Sequence, residues 1–195
     1  SQSDILKFKK VAGEKYGHEP GVSTVSPTIG EELVKNAIKA LSLAALGIII
    51  YVAIRFEWRM GVGAIMSLLH DVFLIIAVFS FMRLEVDITF IAAVLTIVGY
   101  SINDTIVTFD RMRENLAQYD TIKDREVLAN IVNKSLRQTM GRSVNTVLTV
   151  IIVVVSLLIF GAPSIETFSI ALLIGLITGM YSSICIAAQI WYSLK

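Results

Sequence analysis

Cysteine, histidine, proline and charge are all scarce in this chain. Cys185 is the single cysteine, so no disulfide can form within the chain, and cysteine usage leaves the redox compartment unread. The two histidines, His18 and His70, fall in a polar stretch and an apolar run respectively, which argues against a shared metal site. Charged residues make up 17% of the chain, against about 25% in soluble domains. A formal net charge of +1 says nothing useful about partners; nucleic acid is not expected. The opening residues are polar and charged, without the apolar core of a signal peptide, and read as the tail of something larger. No GxSxG, HExxH, CxxC or P-loop pattern is present, so nothing suggests an enzyme. An intramembrane aspartyl protease built on Asp71 and Asp104 is disfavoured, because neither follows the glycine such sites use.

Apolar residues, by contrast, reach 55%, and they gather in blocks. A helix needs roughly 20 apolar residues to cross about 30 Å of hydrocarbon. Five blocks meet that length, at about 36–54, 60–82, 88–109, 136–160 and 165–191. The fold class expected is an all-α membrane protein, a polytopic transmembrane helical bundle over 36–195, preceded by a separate segment, 1–35. In that segment Ile5–Val11 reads as the end of a short helix. Gly17–Gly21 reads as a turn and Val22–Val25 as a short strand closed by Pro27. Thr28 with Glu31 offers a capping box. Gly161-Ala162-Pro163 reads as a tight turn between the last two spans.

Lysine and arginine placement orients the bundle. The long loop 110–135 and its edges carry Arg111, Arg113, Lys123, Arg125, Lys134 and Arg137. The short loop after the first span carries Arg55 and Arg59. Five spans put both loops and Lys195 on one side, expected to be cytoplasmic, with the N-terminal segment outside. Leu128, Ile131, Val132 and Leu136 recur at helical spacing within the loop. They read either as an amphipathic helix lying along the inner membrane surface or as an ordinary loop helix.

A charge in hydrocarbon costs several kcal/mol, from about 2.5 upward, so ionisable groups in spans face the bundle interior. In the third span Thr96, Tyr100, Asp104 and Thr108 fall four apart and form one polar stripe, flanked by Gly99 and Asn103. In the fourth, Arg142 is followed by Asn145, Thr146 and Thr149 at three, four and seven residues. Asp104 and Arg142 lie at similar depth in antiparallel neighbours, so pairing is geometrically allowed. A neighbouring cation favours the charged carboxylate and desolvation favours the neutral acid. If the two balance, Asp104 can load and release a proton near neutral pH. The bland readings are a permanent salt bridge, or an arginine that snorkels to headgroups. In the second span His70 and Asp71 form either a proton relay or a hydrogen-bonded structural pair, with Gly63 and Ser67 on the aspartate's face. Gly175, Gly179 and Ser183 form a small-residue seam that permits close helix packing.

Residues Gly99–Asn115 (GYSINDTIVTFDRMREN) strongly resemble the signature of the SecF protein-export subunits, as do Val25–Leu33 (VSPTIGEEL) and Ser135–Thr146 (SLRQTMGRSVNT). The resemblance covers the chain from about residue 22 onward. It implies the resistance-nodulation-division architecture, six helices per half and a large extracytoplasmic domain after the first. Only five spans are seen here, and residues 1–35 match the end of that α+β domain. It further implies SecD as partner, separate or fused, and the SecYEG translocon, with a preprotein as cargo in the bacterial cytoplasmic membrane. Protons are the expected coupling ion and no cofactor is expected. The family's proton-linked aspartate and arginine carry over to Asp104 and Arg142, with His70 and Asp71 less securely placed. Half of a small-molecule exporter of the same superfamily, or a membrane scaffold, are the competing readings.

Overall fold

A computed structural model describes residues 2–16, 27–119 and 124–195. The turn expected at Gly17–Gly21 and the strand expected at Val22–Val25 lie outside the described residues. The chain divides into two units, 1–36 and 37–195. In the first, α1 (Gln2–Tyr16) continues well past the short helix expected to end near Val11. Helix α2 (Pro27–Arg55) begins at Pro27 rather than being capped by Thr28. A proline suits a first helical position, where its missing N–H would be unsatisfied anyway.

The second unit holds the rest of α2 and α3 (Trp58–Met82), α4 (Ile88–Leu116), α5 (Arg125–Phe160), a 3-10 turn (Pro163–Ile165), α6 (Glu166–Ser182), a π segment (Ser183–Ala187) and α7 (Ala188–Leu194). No strand occurs among the described residues. Five helical stretches are long and apolar enough to cross a membrane, the last being Pro163–Leu194 taken as one. The helix ends follow local chemistry. Asp87 caps α4 by accepting from Phe90 N–H at 2.9 Å and Thr89 Oγ1 at 2.7 Å. Asp124 caps α5 through Glu126 N–H at 2.9 Å. Arg83 closes α3 in the left-handed region, φ 54°, where its N–H bonds back to the last turn.

The amphipathic stretch is not a separate surface helix. It forms the first turns of α5, which runs unbroken from Arg125 to Phe160. Its apolar stripe finds protein instead of lipid: Leu128, Ile131, Val132 and Leu136 are all buried, three of them in one core with Phe109, Met112 and Trp191. At 36 residues, α5 spans about 54 Å at 1.5 Å per residue, well beyond the hydrocarbon thickness. Nearby, Arg113 donates to the Arg55 carbonyl at 3.1 Å and Lys195 meets Glu57 at 3.3 Å. The α2–α3 loop, the end of α4 and the chain end therefore share one basic end, as five antiparallel spans require.

Two apolar cores are stacked along the bundle. One, at the basic end, gathers Met60, Ala64, Phe109, Met112, Leu136 and Trp191. The other gathers Ile75, Phe79, Phe90, Ile97, Leu172 and Leu176. The layer between them is polar. α6 lies against α3, α4 and α5, and glycine makes that closeness possible. A Cβ on Gly175 would run into the side chain of Ile97, which is buried and cannot yield. A Cβ on Gly63 would come 2.7 Å from the Ala187 carbonyl oxygen.

Gly175→Ala is therefore expected to destabilise the bundle by about 1–3 kcal/mol through overpacking. Gly47→Ala, whose Cβ would meet nothing within 4 Å, should be neutral or stabilising by up to about 1 kcal/mol. Thermal unfolding in detergent, followed by circular dichroism, checks both. Equal midpoints for the two variants would mean that the α4–α6 seam is not tight.

Candidate functional site

The polar middle layer contains two carboxylates, one on either side of the α4–α6 seam. Asp71, on α3, is 1% exposed. Its Oδ2 accepts from Ser101 Oγ of α4 at 2.6 Å and from Ser182 Oγ of α6 at 2.7 Å. Its Oδ1 lies 3.1 Å from His70 Nδ1. A Cβ on Gly179 would sit 3.3 Å from Ser101 Cβ and 3.7 Å from Asp71 Oδ2, so this glycine leaves the room in which serine and carboxylate meet. Gly63, Ser67 and Asp71 share one buried face of α3, as their spacing predicts.

Asp104, on α4, is half-buried. Its Oδ1 accepts from Ser143 Oγ of α5 at 2.5 Å, and its Oδ2 is buried without a hydrogen-bond partner. Ser183 stands beside the carboxylate, and Arg142 is close enough for its charge to act on it. Asp104 and Arg142 line one cavity of about 60 Å³, walled also by Tyr100, Asn103, Thr146 and Gly179. Among the described ion pairs there is none between them: the serine next to Arg142 holds the carboxylate, and the guanidinium faces the same space. A wider cavity of about 360 Å³ adjoins at Val107 and Arg142, lined by Asp110, Arg111, Glu114, Gln138 and Thr139 toward the basic end. The paired cavities put a carboxylate with a free acceptor, a guanidinium and a polar passage in one place.

The sequence stripes land unevenly. Tyr100, Asn103, Asp104, Arg142 and Thr146 reach the cavity. Thr108 does not: it is fully buried, and its hydroxyl has no partner. A helix repeats every 3.6 residues, so each step of four rotates by about 40°, and two steps carry Thr108 off the cavity face. Val107 takes its place. Asn145 and Thr149 are exposed, outside the cavity wall, and Thr149 bonds to its own helix at Thr146 O, 2.8 Å. Thr96 likewise bonds to Ala92 O at 2.8 Å.

The hydroxyls that hold the carboxylates, Ser101, Ser143 and Ser182, and Ser183 beside them are not foreseen as site residues. Only Ser183 is marked in advance, as part of the small-residue seam. A signal was available. Ser101 lies three residues before Asp104, and Ser182-Ser183 follows Gly179 by about one turn. Small hydroxylated residues beside a close-packing seam are the donors that reach a buried acid.

The chain matches the family model described as "Protein export membrane protein SecD/SecF, C-terminal" over residues 7–195. It is 62% identical over 191 residues to the protein translocase subunit SecDF of Bacillus subtilis, covering 98% of this chain and 26% of that protein. It is 53% identical to the protein translocase subunit SecF of Alicyclobacillus acidocaldarius, covering 89% of this chain and 56% of the relative. Among solved structures it resembles the crystal structure of SecDF, a translocon-associated membrane protein, from Thermus thermophilus. There the TM-score is 0.83 at 36% identity, covering all of this chain and 27% of that one. The chain thus spans about a quarter of the SecDF relatives and about half of the SecF relative.

Ser101→Ala withdraws one donor from a carboxylate with no access to bulk water, and is expected to cost about 1–3 kcal/mol. Ser156→Ala, at an exposed serine that bonds to Ile152 O of its own helix, should shift stability by less than about 0.5 kcal/mol. Unfolding midpoints in detergent compare them, and equal shifts would contradict the anchoring role of Ser101.

Proposed function

The chain belongs to the SecD/SecF family of protein export membrane proteins, and from that membership we propose that it couples proton movement through the membrane to protein export. It is a multi-pass membrane protein of the protein translocase subunit family. What carries the proton reading is the environment of Asp104. One oxygen is held by Ser143 and the other is buried without a partner, while the residue lines a cavity that Arg142 also borders, with a second cavity beside it toward the basic end. A carboxylate kept only as a structural anchor would have both oxygens engaged, because an unpartnered buried acceptor is costly.

The partner is a SecD half, fused or separate. Relatives that match this chain are SecDF proteins, and the cavity wall supports an association. Tyr100 is 39% exposed, and Asn103, Arg142 and Thr146 are exposed within stretches whose other exposed side chains include Val144 and Leu148. Such a wall is unfavourable against lipid tails and fits a second polar helix bundle. Working beside SecYEG in the bacterial cytoplasmic membrane, the pair would draw a preprotein outward, with the basic end cytoplasmic and residues 1–35 outside. Protonation of Asp104 removes a charge from the seam between α4 and α5. A two-state packing biased in this way is how a proton can do mechanical work.

Proton flux into proteoliposomes carrying this chain with its SecD half tests the reading. Asp104→Asn should lower flux to the protein-free background and abolish stimulation of export, while Arg142→Lys, which keeps charge but loses the planar fork, should fall between. Wild-type flux in Asp104→Asn would remove the relay. Exchanging the two residues (Asp104→Arg with Arg142→Asp) should not restore function; recovery would show that a plain ion pair suffices and favour a scaffold.

A further inference from the structure

Asp71 is the more deeply buried of the two carboxylates, yet the relay described above does not use it. Every group that faces it can be named. α3 supplies His70, whose ring is 30% exposed. α4 supplies Ser101, with Asp104 three residues further on. α6 supplies Ser182, and Tyr181, whose ring centroid lies 6.4 Å from that of His70. Among the described residues, His70 is its only ion-pair partner. A permanent charge without a lysine or arginine in ion-pair contact is costly within the bilayer. A site that holds a proton in either of two places avoids it.

We infer that His70 and Asp71 form a second proton-carrying site, linked to Asp104 through the hydroxyls of Ser182 and Ser183. This rests on the reading that the bundle moves protons. His70, whose ring is part-exposed, takes a proton at Nε2 and gives one from Nδ1 to Asp71 Oδ1. An N–H bond breaks, an O–H bond forms, and imidazolium plus carboxylate become imidazole plus carboxylic acid. The second step is a switch of hydrogen bonds. Ser182 has one hydrogen and two acceptors within reach, Asp71 Oδ2 at 2.7 Å and Gly179 O at 3.1 Å. Ser183 already reaches that same carbonyl at 2.9 Å and Thr105 Oγ1 at 3.0 Å. When Asp71 is neutral its hold on the Ser182 hydrogen weakens, and that hydrogen turns to Gly179 O. The Ser183 hydrogen is then free to turn toward the unpartnered oxygen of Asp104, which it stands beside, and the site resets when Asp71 Oδ1 returns its proton to His70 Nδ1 and Nε2 releases its own. Ser183 opens a π segment, a departure from the α-helix frequently found at functional sites.

Asp71→Asn separates this from a structural role. The amide oxygen still accepts from Ser101 and Ser182 and the amide N–H₂ can face His70, so the packing is kept while the proton site is lost. In proteoliposomes containing the SecD half, Asp71→Asn should lose proton flux to the protein-free background at a near-native unfolding midpoint. Asp71→Glu should recover part of it, and His70→Gln should slow flux and alter its pH profile without abolishing it. Infrared difference spectra between acid and neutral pH supply a readout that does not depend on flux. Among the carboxylic-acid C=O bands that titrate in wild type, one should be lost in Asp104→Asn and a different one in Asp71→Asn. Wild-type flux in Asp71→Asn alongside lost flux in Asp104→Asn would overturn this inference alone. So would difference spectra in which Asp71→Asn loses no band while Asp104→Asn loses one. Wild-type flux in Asp104→Asn would instead overturn the proton reading on which it rests.

Discussion

A carboxylate at the middle of a bilayer persists only where hydrogen-bond donors surround it, and here that requirement decides how three helices meet. Asp71 on α3 draws Ser101 of α4 and Ser182 of α6 to one oxygen. Two hydroxyls from different helices cannot reach one atom unless the backbones approach closely. The glycines at 175 and 179 permit that approach, one against Ile97 and one against Ser101 and Asp71. Lipid tails are as apolar as leucine, so hydrophobic burial alone does not drive helices together in a membrane. Close packing of small residues and the polar contacts they admit do.

The same constraint explains the layering. Apolar cores lie above and below the polar middle, with Asp71 buried beside the part-exposed His70 and Asp104 beside the cavities that Arg142 lines. Each core is large: Trp191, Phe109 and Met112 at one level, Phe79, Phe90 and Ile97 at the other. A polar layer without these cores would be a water-filled hole. With them the polar groups stay packed between two apolar layers.

Much of this was legible in the sequence, for physical reasons. Span number followed from block length, and the polarity of the α4 and α5 stripes followed from the cost of charge in hydrocarbon. The chemistry of the seam was less so. Asp71 looked equally like a structural acid until its serine donors, at sequence separations of 30 and 111 residues, were seen to converge on it. A serine in an apolar helix usually bonds to its own backbone, as Ser156 does with Ile152, so the type alone does not mark a site. Thr108 was misplaced because a spacing of four drifts around the helix. The stretch 125–137 stayed open between a membrane-surface helix and an ordinary loop helix because an amphipathic stripe reports that something apolar covers it, not whether that is lipid or protein. Its cover is Phe109, Met112 and Trp191, far along the chain.

The asymmetry between the two carboxylates carries the argument furthest. Asp71 has all its donors within this chain and is sealed by it. Asp104 has one donor from Ser143, a free oxygen, and a cavity whose wall of Tyr100, Asn103, Arg142 and Thr146 is unfinished in a lone bundle. A site complete in itself holds its charge state by its own chemistry. A site open on one side has its charge state decided by what closes it. If a SecD half supplies that closure, Asp104 reports the partner's position and Asp71 the bundle's own packing. The α4–α6 seam, with a carboxylate on each flank, is where the two reports meet.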